Sequence, residues 1–290
     1  MAAGRTSIEI AETTGADWGP GMDWIAQQRC DATEGSQVFS ALCHAQSNDE
    51  CVVDLSKSGW VGPGMMASLA AFVDSRRAAG IPIKFVPPGD RDVRYYLSRM
   101  GMGKVLDAAE VNHGLPSVNA NMALTQRALV EVAAFSSEDD VAALVSIVSY
   151  QSVAPGLQRA VSRALLEAGC NVSEHARVPR GFMAGQVINN QLRLSVADAG
   201  VGVLSTLEGS GATSEKQALL MAVNGTSEFA DADRGRGLKS IHESISTHGG
   251  RGALISGQSV VTMSPNRLFA WTGNSSSYAG TILDVVLPIS

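Results

Sequence analysis

The chain has 290 residues, 45% of them hydrophobic and 17% charged, with a formal net charge of -6 and a sequence pI near 5.4. At roughly 100–200 residues per domain this length predicts two domains, and the apolar content excludes a disordered chain. The acidic balance excludes a basic surface that tracks phosphates, so no nucleic acid is expected as a partner; no stretch approaches the ~20 apolar residues that span a bilayer, so no membrane is expected either.

Met1 to Thr13 carries Arg5 and acids but no apolar run, so no signal peptide is expected. The four cysteines, Cys30, Cys43, Cys51 and Cys170, include no CxxC pair. They read as reduced thiols of a cytoplasmic protein rather than as a zinc site. Gly35 to Gln46 predicts a helix, and His44 on it reads as an ordinary surface or core histidine. Cys51 to Leu55 is a short apolar run that predicts a buried strand. After the Gly62-Pro63-Gly64 break, Met66, Leu69, Ala70 and Val73 recur at helical spacing and predict a helix from Met65 to Ala79. Ile81 to Val86 predicts a strand and Asp90 to Met100 a helix. Strand, helix, strand, helix is the pattern of a parallel α/β layer.

Residues Leu106 to Leu124 carry Asn, Pro, Gly and Ser without periodicity, and the domain boundary is expected there. Leu129 to Phe135 predicts a strand, and helices are expected from Glu138 to Tyr150 and from Pro155 to Ala176. On the second helix Leu157, Val161, Leu165, Ala168 and Val172 form an apolar stripe. Glu167, Asn171 and His175 share another face at spacings of four. On most helices such a face is simply solvated. Read for chemistry, the Asn171 carbonyl is a hard oxygen suited to Mg²⁺, and Glu167 could take a proton from a group attacking a phosphate.

Strands are expected at Gln191 to Asp198, Gly252 to Gly257, Ser259 to Met263, Leu268 to Thr272 and Thr281 to Leu287. Period two puts Asp198 on the apolar face with Leu192, Leu194 and Val196. A carboxylate there needs a donor, and the adenine amine is one of the right type; a turn-capping role is the plainer reading. Gly200 and Gly202 follow closely, and glycines admit close backbone approach. A second pair, Gly235 and Gly237, flanks Arg236 before a helix from Leu238 to Thr247, whose N-terminal N–H groups suit phosphate. The roughly thirty residues between the pairs suit a lid. Thr281 is a further polar group on an inward strand face, with Leu283, Val285 and Leu287.

These pieces in this order resemble the GHKL ATPase superfamily of histidine kinases, anti-sigma-factor serine kinases, heat-shock chaperone ATPases, gyrase B and MutL. Glu167, Asn171, His175 and Ala176 resemble the N box in its anti-sigma kinase form. Asp198 to Gly202 resembles the first glycine box, Gly235 to Leu238 the second, and Gly280-Thr281 the terminal Gly-Thr motif. The resemblance implies a Bergerat-fold α/β sandwich over residues 125–290, a mixed sheet covered by helices, binding ATP or ADP with Mg²⁺. It implies Asn171 on the metal, Asp198 on adenine with Thr281 in support, and Glu167 as general base. His175, Gly200, Gly202, Gly235, Arg236, Gly237, Leu238 and Lys239 would line the nucleotide. Glu174 stands where many histidine kinases have a cation near the phosphates, which leaves Arg236 and Lys239 as replacements.

Residues 1–110 resemble a STAS domain, carried by Val52 to Leu55, Trp60 to Met65, the helix that follows and Ala79 to Ile83, with 111–124 as linker. Gly62-Pro63-Gly64 stands where antagonists carry a phosphorylated serine; Ser58 and Ser68 lie nearby but off that motif. The expected function is an ATP-dependent serine/threonine kinase of the anti-sigma type acting on a protein partner. A nucleotide-gated interaction switch and a simple ATPase remain the alternatives, and a second copy of the chain counts among the candidate partners. Against the last alternative, no downstream transducer domain is expected to supply a phosphate-sensing lysine.

Overall fold

The computed structural model describes residues 7–10, 51–118, 128–149, 155–225, 237–265, 267–272 and 277–289. The expected helix Gly35 to Gln46, with His44, Cys30 and Cys43, lies outside them, as do Gly235 and Arg236.

Ten strands and eight α-helices occur among the described residues. Strand β1 is Ser7–Ile10, β2 Cys51–Asp54 and β3 Ile83–Val86. The longer strands are β4 Ala128–Phe135, β5 Gly181–Ile188, β6 Gln191–Asp198, β7 Arg251–Gly257, β8 Ser259–Ser264, β9 Arg267–Thr272 and β10 Tyr278–Pro288. The helices are α1 Pro63–Ala78, α2 Arg91–Arg99, α3 Met102–Ala108, α4 Glu138–Ser149, α5 Pro155–His175, α6 Gly202–Leu207, α7 Glu215–Asn224 and α8 Gly237–His248. Eight strands form one sheet in the order β1-β9-β8-β7-β10-β6-β5-β4. Its pairings are antiparallel except β1 with β9, so the fold is mixed α/β around a largely antiparallel sheet. β2 and β3 pair in parallel as a separate ribbon, the arrangement their strand–helix–strand pattern predicts.

Period two gives the sheet two buried faces. Leu192, Leu194, Val196, Leu283, Val285 and Leu287 pack beneath α4, α5, α7 and α8. The stripe expected on α5 is the buried one: Leu157, Val161, Leu165, Ala168 and Val172 all join this core. Phe182, Ala184, Ala197, Ile255, Val260 and Ile282 face the other way, into a second core that they share with α1. Helix α1 is apolar almost all round, as a helix enclosed on every side must be; its first eleven residues are buried.

Polar ties join the described N-terminal half to the sheet. Arg180 forks onto Asp74 at 3.0 and 3.1 Å. The Val132 N–H donates to the Met100 carbonyl at 2.8 Å, and the hydroxyl of the half-buried Tyr96 donates to Gln186 Oε1. Asp284, on β10 and 2% exposed, points at the start of α1. A Cβ added to Gly64 would stand 2.8 Å from its carboxyl group. The glycine of the Gly62-Pro63-Gly64 turn is thus the residue that lets this carboxylate approach the helix. Ser58 and Ser68 are both buried, and Ser68 Oγ donates to the Gly64 carbonyl at 2.6 Å.

Several elements depart from expectation. The stretch read as structureless from Leu106 onward begins inside α3, a seven-residue helix started by Gly101 at φ 83°. β5 was not foreseen, and most of the expected lid consists of α6, a 3₁₀ turn at Glu208–Ser210 and α7. No helix of the described residues is long and apolar enough to cross a membrane.

Candidate functional site

The end of β6 carries Asp198, 2% exposed on the helix-side face of the sheet. Its register partner across β10 is Thr281. The carboxylate accepts the Gly200 N–H at 2.8 Å and both the backbone N–H and the hydroxyl of Thr281. Burial pushes its pKa up to about 6 against these three stabilising donors. Asp198 is therefore both a turn cap, the plainer of the two sequence readings, and an inward acid paired with Thr281.

The turn after Asp198 is clamped on α5. The Val201 N–H donates to the Ala176 carbonyl at 3.0 Å, and a Cβ on Gly200 would overlap that same carbonyl. The smallness of Gly200 is thus used against the end of α5. Gly202 has φ +75°, and a Cβ there would stand 2.7 Å from Ser256 Oγ. Ser256 accepts from the Val203 N–H at 3.0 Å and donates to the Gly280 carbonyl at 2.8 Å. Gly280, at φ +110°, lies where a Cβ would overlap the Asp198 carbonyl. The buried Tyr278 hydroxyl donates to that carbonyl at 2.8 Å. Sequence reasoning missed Ser256 and Tyr278. Each closes a buried strand with a hydroxyl, but a lone Ser after Ile255 or Tyr after three serines gives no distinctive pattern.

Glu167 and Asn171 are half-buried and His175 is exposed, all on α5. His175 Nε2 lies 3.5 Å from Glu174 Oε2, and Glu174 is itself exposed. Asn171 precedes Ala176 by five residues, about 7.5 Å of helix rise and about 140° round the helix axis.

Helix α8 starts at Gly237. Ile245 meets Gly252, which pairs with Val285, and Gly250 abuts Leu287. The C-terminal end of α8 thus lies at the Leu287 end of β10. Leu238 packs against the helix-side core and Lys239 is exposed. Between α5, α8 and the sheet, Val161, Leu165, Ile241 and Leu283 enclose a crevice of about 20 Å³, room for one water. A nucleotide-sized ligand has no space there.

No family model matches the chain. No curated protein matches it either. Among the described residues no group of three or more His, Cys, Asp or Glu side chains could hold a metal by itself, so a cation here would need a ligand's own oxygens to complete its shell.

Proposed function

We propose that the chain binds Mg-ATP as a GHKL-type protein and phosphorylates a serine or threonine of a protein partner. The observation that carries this reading is the buried Asp198 carboxylate, paired with Thr281 at a strand end whose following turn is clamped on the C-terminus of α5. A buried acid with a raised pKa is where a specific donor, such as the adenine amine, gains most. Asn171 would supply the one protein oxygen that Mg²⁺ needs beside phosphates and waters. Gly200, Gly202, Gly235, Arg236, Gly237, Leu238, Lys239 and His175 would border the nucleotide.

In the transfer, the partner's hydroxyl oxygen bonds to the γ-phosphorus as the bond from that phosphorus to the β–γ bridging oxygen breaks. ADP leaves, and the hydroxyl proton passes to Glu167. Incubation with Mg²⁺ and γ-labelled ATP, with and without lysate, tests the reading. Label on a second protein is the expected result; free phosphate alone would indicate a simple ATPase.

One observation favours the switch as a second reading. β10 carries Thr281 toward the candidate site and, three residues on, Asp284 toward α1. A ligand that alters this strand would be felt on both faces of the sheet. Tight ATP retention with neither label transfer nor phosphate release would support it.

A further inference from the structure

Helix α8 lays Leu238, Ile241 and Ile245 against the helix-side core at i, i+3 and i+7. The position that completes this stripe, i+4, is a histidine. His242 is 8% exposed. A backbone hydrogen bond ties one ring nitrogen to Ser264, the last residue of β8. The other nitrogen, Nε2, is buried and has no hydrogen-bond partner among the described residues. We propose that His242 is an acid-sensitive pin: neutral, it fastens α8 to the end of β8, and protonated, it lets the helix go. The inference goes beyond the nucleotide reading and does not depend on it.

Two observations carry it. First, the site accommodates only the neutral ring. The tie to Ser264 favours the protonated form, so the ring donates and the Ser264 carbonyl accepts. A neutral imidazole has one N–H, and this bond uses it. Protonation would turn Nε2 into a second, charged N–H, buried with nothing among the described residues to receive it. Such a donor is costly to leave unmet.

Second, no carboxylate stands ready to compensate. Helix α8 packs against α5, α7, β7, β8 and β10. β8 carries no charged residue. The charges of α7 are Lys216 and Glu215 in its first turn, and Glu215 Oε2 takes the Gln258 N–H at 2.5 Å. Asp284 of β10 faces α1 from the opposite side of the sheet. Arg251 of β7 and Arg267, just beyond Ser264, are exposed cations. On α5, Arg159, Arg163, Glu174 and His175 are exposed and Glu167 is half-buried. On α8 itself Lys239 is exposed and His248 half-buried. The one charge that pulls on the ring is the exposed Glu243 of α8, and its pull is weaker than that of Ser264. Burial outweighs both and holds the imidazole below its usual 6.5.

The sign follows. An unfolded or released imidazole takes its proton from about pH 6.5 downward, whereas the packed ring resists until the pH is lower. The contribution of the pin is complete above about pH 6.5 and is lost as the pH falls toward the folded value.

Hydrogen exchange of the full chain, read by mass spectrometry and corrected for its intrinsic pH dependence, compares peptides from 238–248 at pH 7.5 and pH 5.5. Protection of α8 is expected to fall about threefold or more in wild type and to hold within about 1.5-fold in H242N, whose amide keeps a donor for Ser264 and does not titrate. Asp198 titrates in the same range with the opposite sign, but it does so in both proteins, so the difference between them belongs to His242. Because H242N can itself loosen the packing, the wild-type imidazoles are also titrated by NMR with carbon-13 labelling, the variant serving only to assign the signal. The His242 midpoint is expected below that of the exposed His175. An equal loss of protection in both proteins, or a His242 midpoint at or above about 6.5, would overturn the proposal.

Discussion

Burial and hydrogen bonding pull the Asp198 carboxyl in opposite directions, and burial wins, leaving it at about 6 against about 4 in an unfolded chain. The folded state therefore holds an extra proton between those values. Its contribution is complete below about pH 4 and is lost as pH rises through 6; above that, the ionised buried acid costs up to about 3 kcal/mol. Asp198→Asn is expected to raise urea stability at pH 7.5 by about 1–3 kcal/mol, with the gain vanishing near pH 4. The same variant is expected to lose ATP affinity in calorimetry, because an amide offers the adenine amine a donor as well as an acceptor. Unchanged affinity would remove Asp198 from the adenine role. Glu167→Ala is expected to keep ATP affinity and abolish transfer of labelled phosphate; normal turnover would remove it as base.

At the scale of elements, glycines mark where helices and strands touch. Gly64 admits the Asp284 carboxylate to the start of α1, so Gly64→Ala is expected to cost about 1–3 kcal/mol in urea unfolding through overpacking. A change under about 0.5 kcal/mol would mean that Asp284 swings aside freely. Elements with clear periodicity were legible in the sequence: α1, α5, β6 and β10 each bury the residues their spacing predicts. β5 was not, because its first six residues are all buried and no alternation survives. Its two glycines are packing devices: a Cβ on Gly181 would meet the Phe135 ring and one on Gly185 the Leu194 side chain, each at 2.5 Å. α6 and α7 hid in a Gly-, Ser- and Ala-rich stretch that reads as a loop. In α7 it is the Ser214 cap, taking the Gln217 N–H, and the Gly225 stop at φ 69° that define the helix. At the candidate site the acid and its threonine could be read from strand period. The clasp of Ser256 and Tyr278 could not, since it depends on which strands become neighbours.

At the scale of the whole molecule, the described N-terminal half and the sheet share one core, which encloses Phe72, Met65 and Met66 together with Phe182 and Ile282. Fully burying each such side chain contributes about 1.5–3 kcal/mol. The full chain is expected to unfold in one cooperative step by calorimetry and circular dichroism. A fragment of residues 125–290 would expose the apolar back of its sheet and is expected to bind hydrophobic dyes or aggregate. Two separate transitions in the full chain would contradict this. Trp60 stacks on Tyr96 with ring centroids 5.0 Å apart, and that tyrosine's hydroxyl is anchored to Gln186 on β5. An indole so placed is a built-in optical gauge of the seam: with Trp18, Trp24 and Trp271 replaced by Phe, its emission should shift to the red when the two halves part, and it should register any nucleotide that loosens their contact without an attached label.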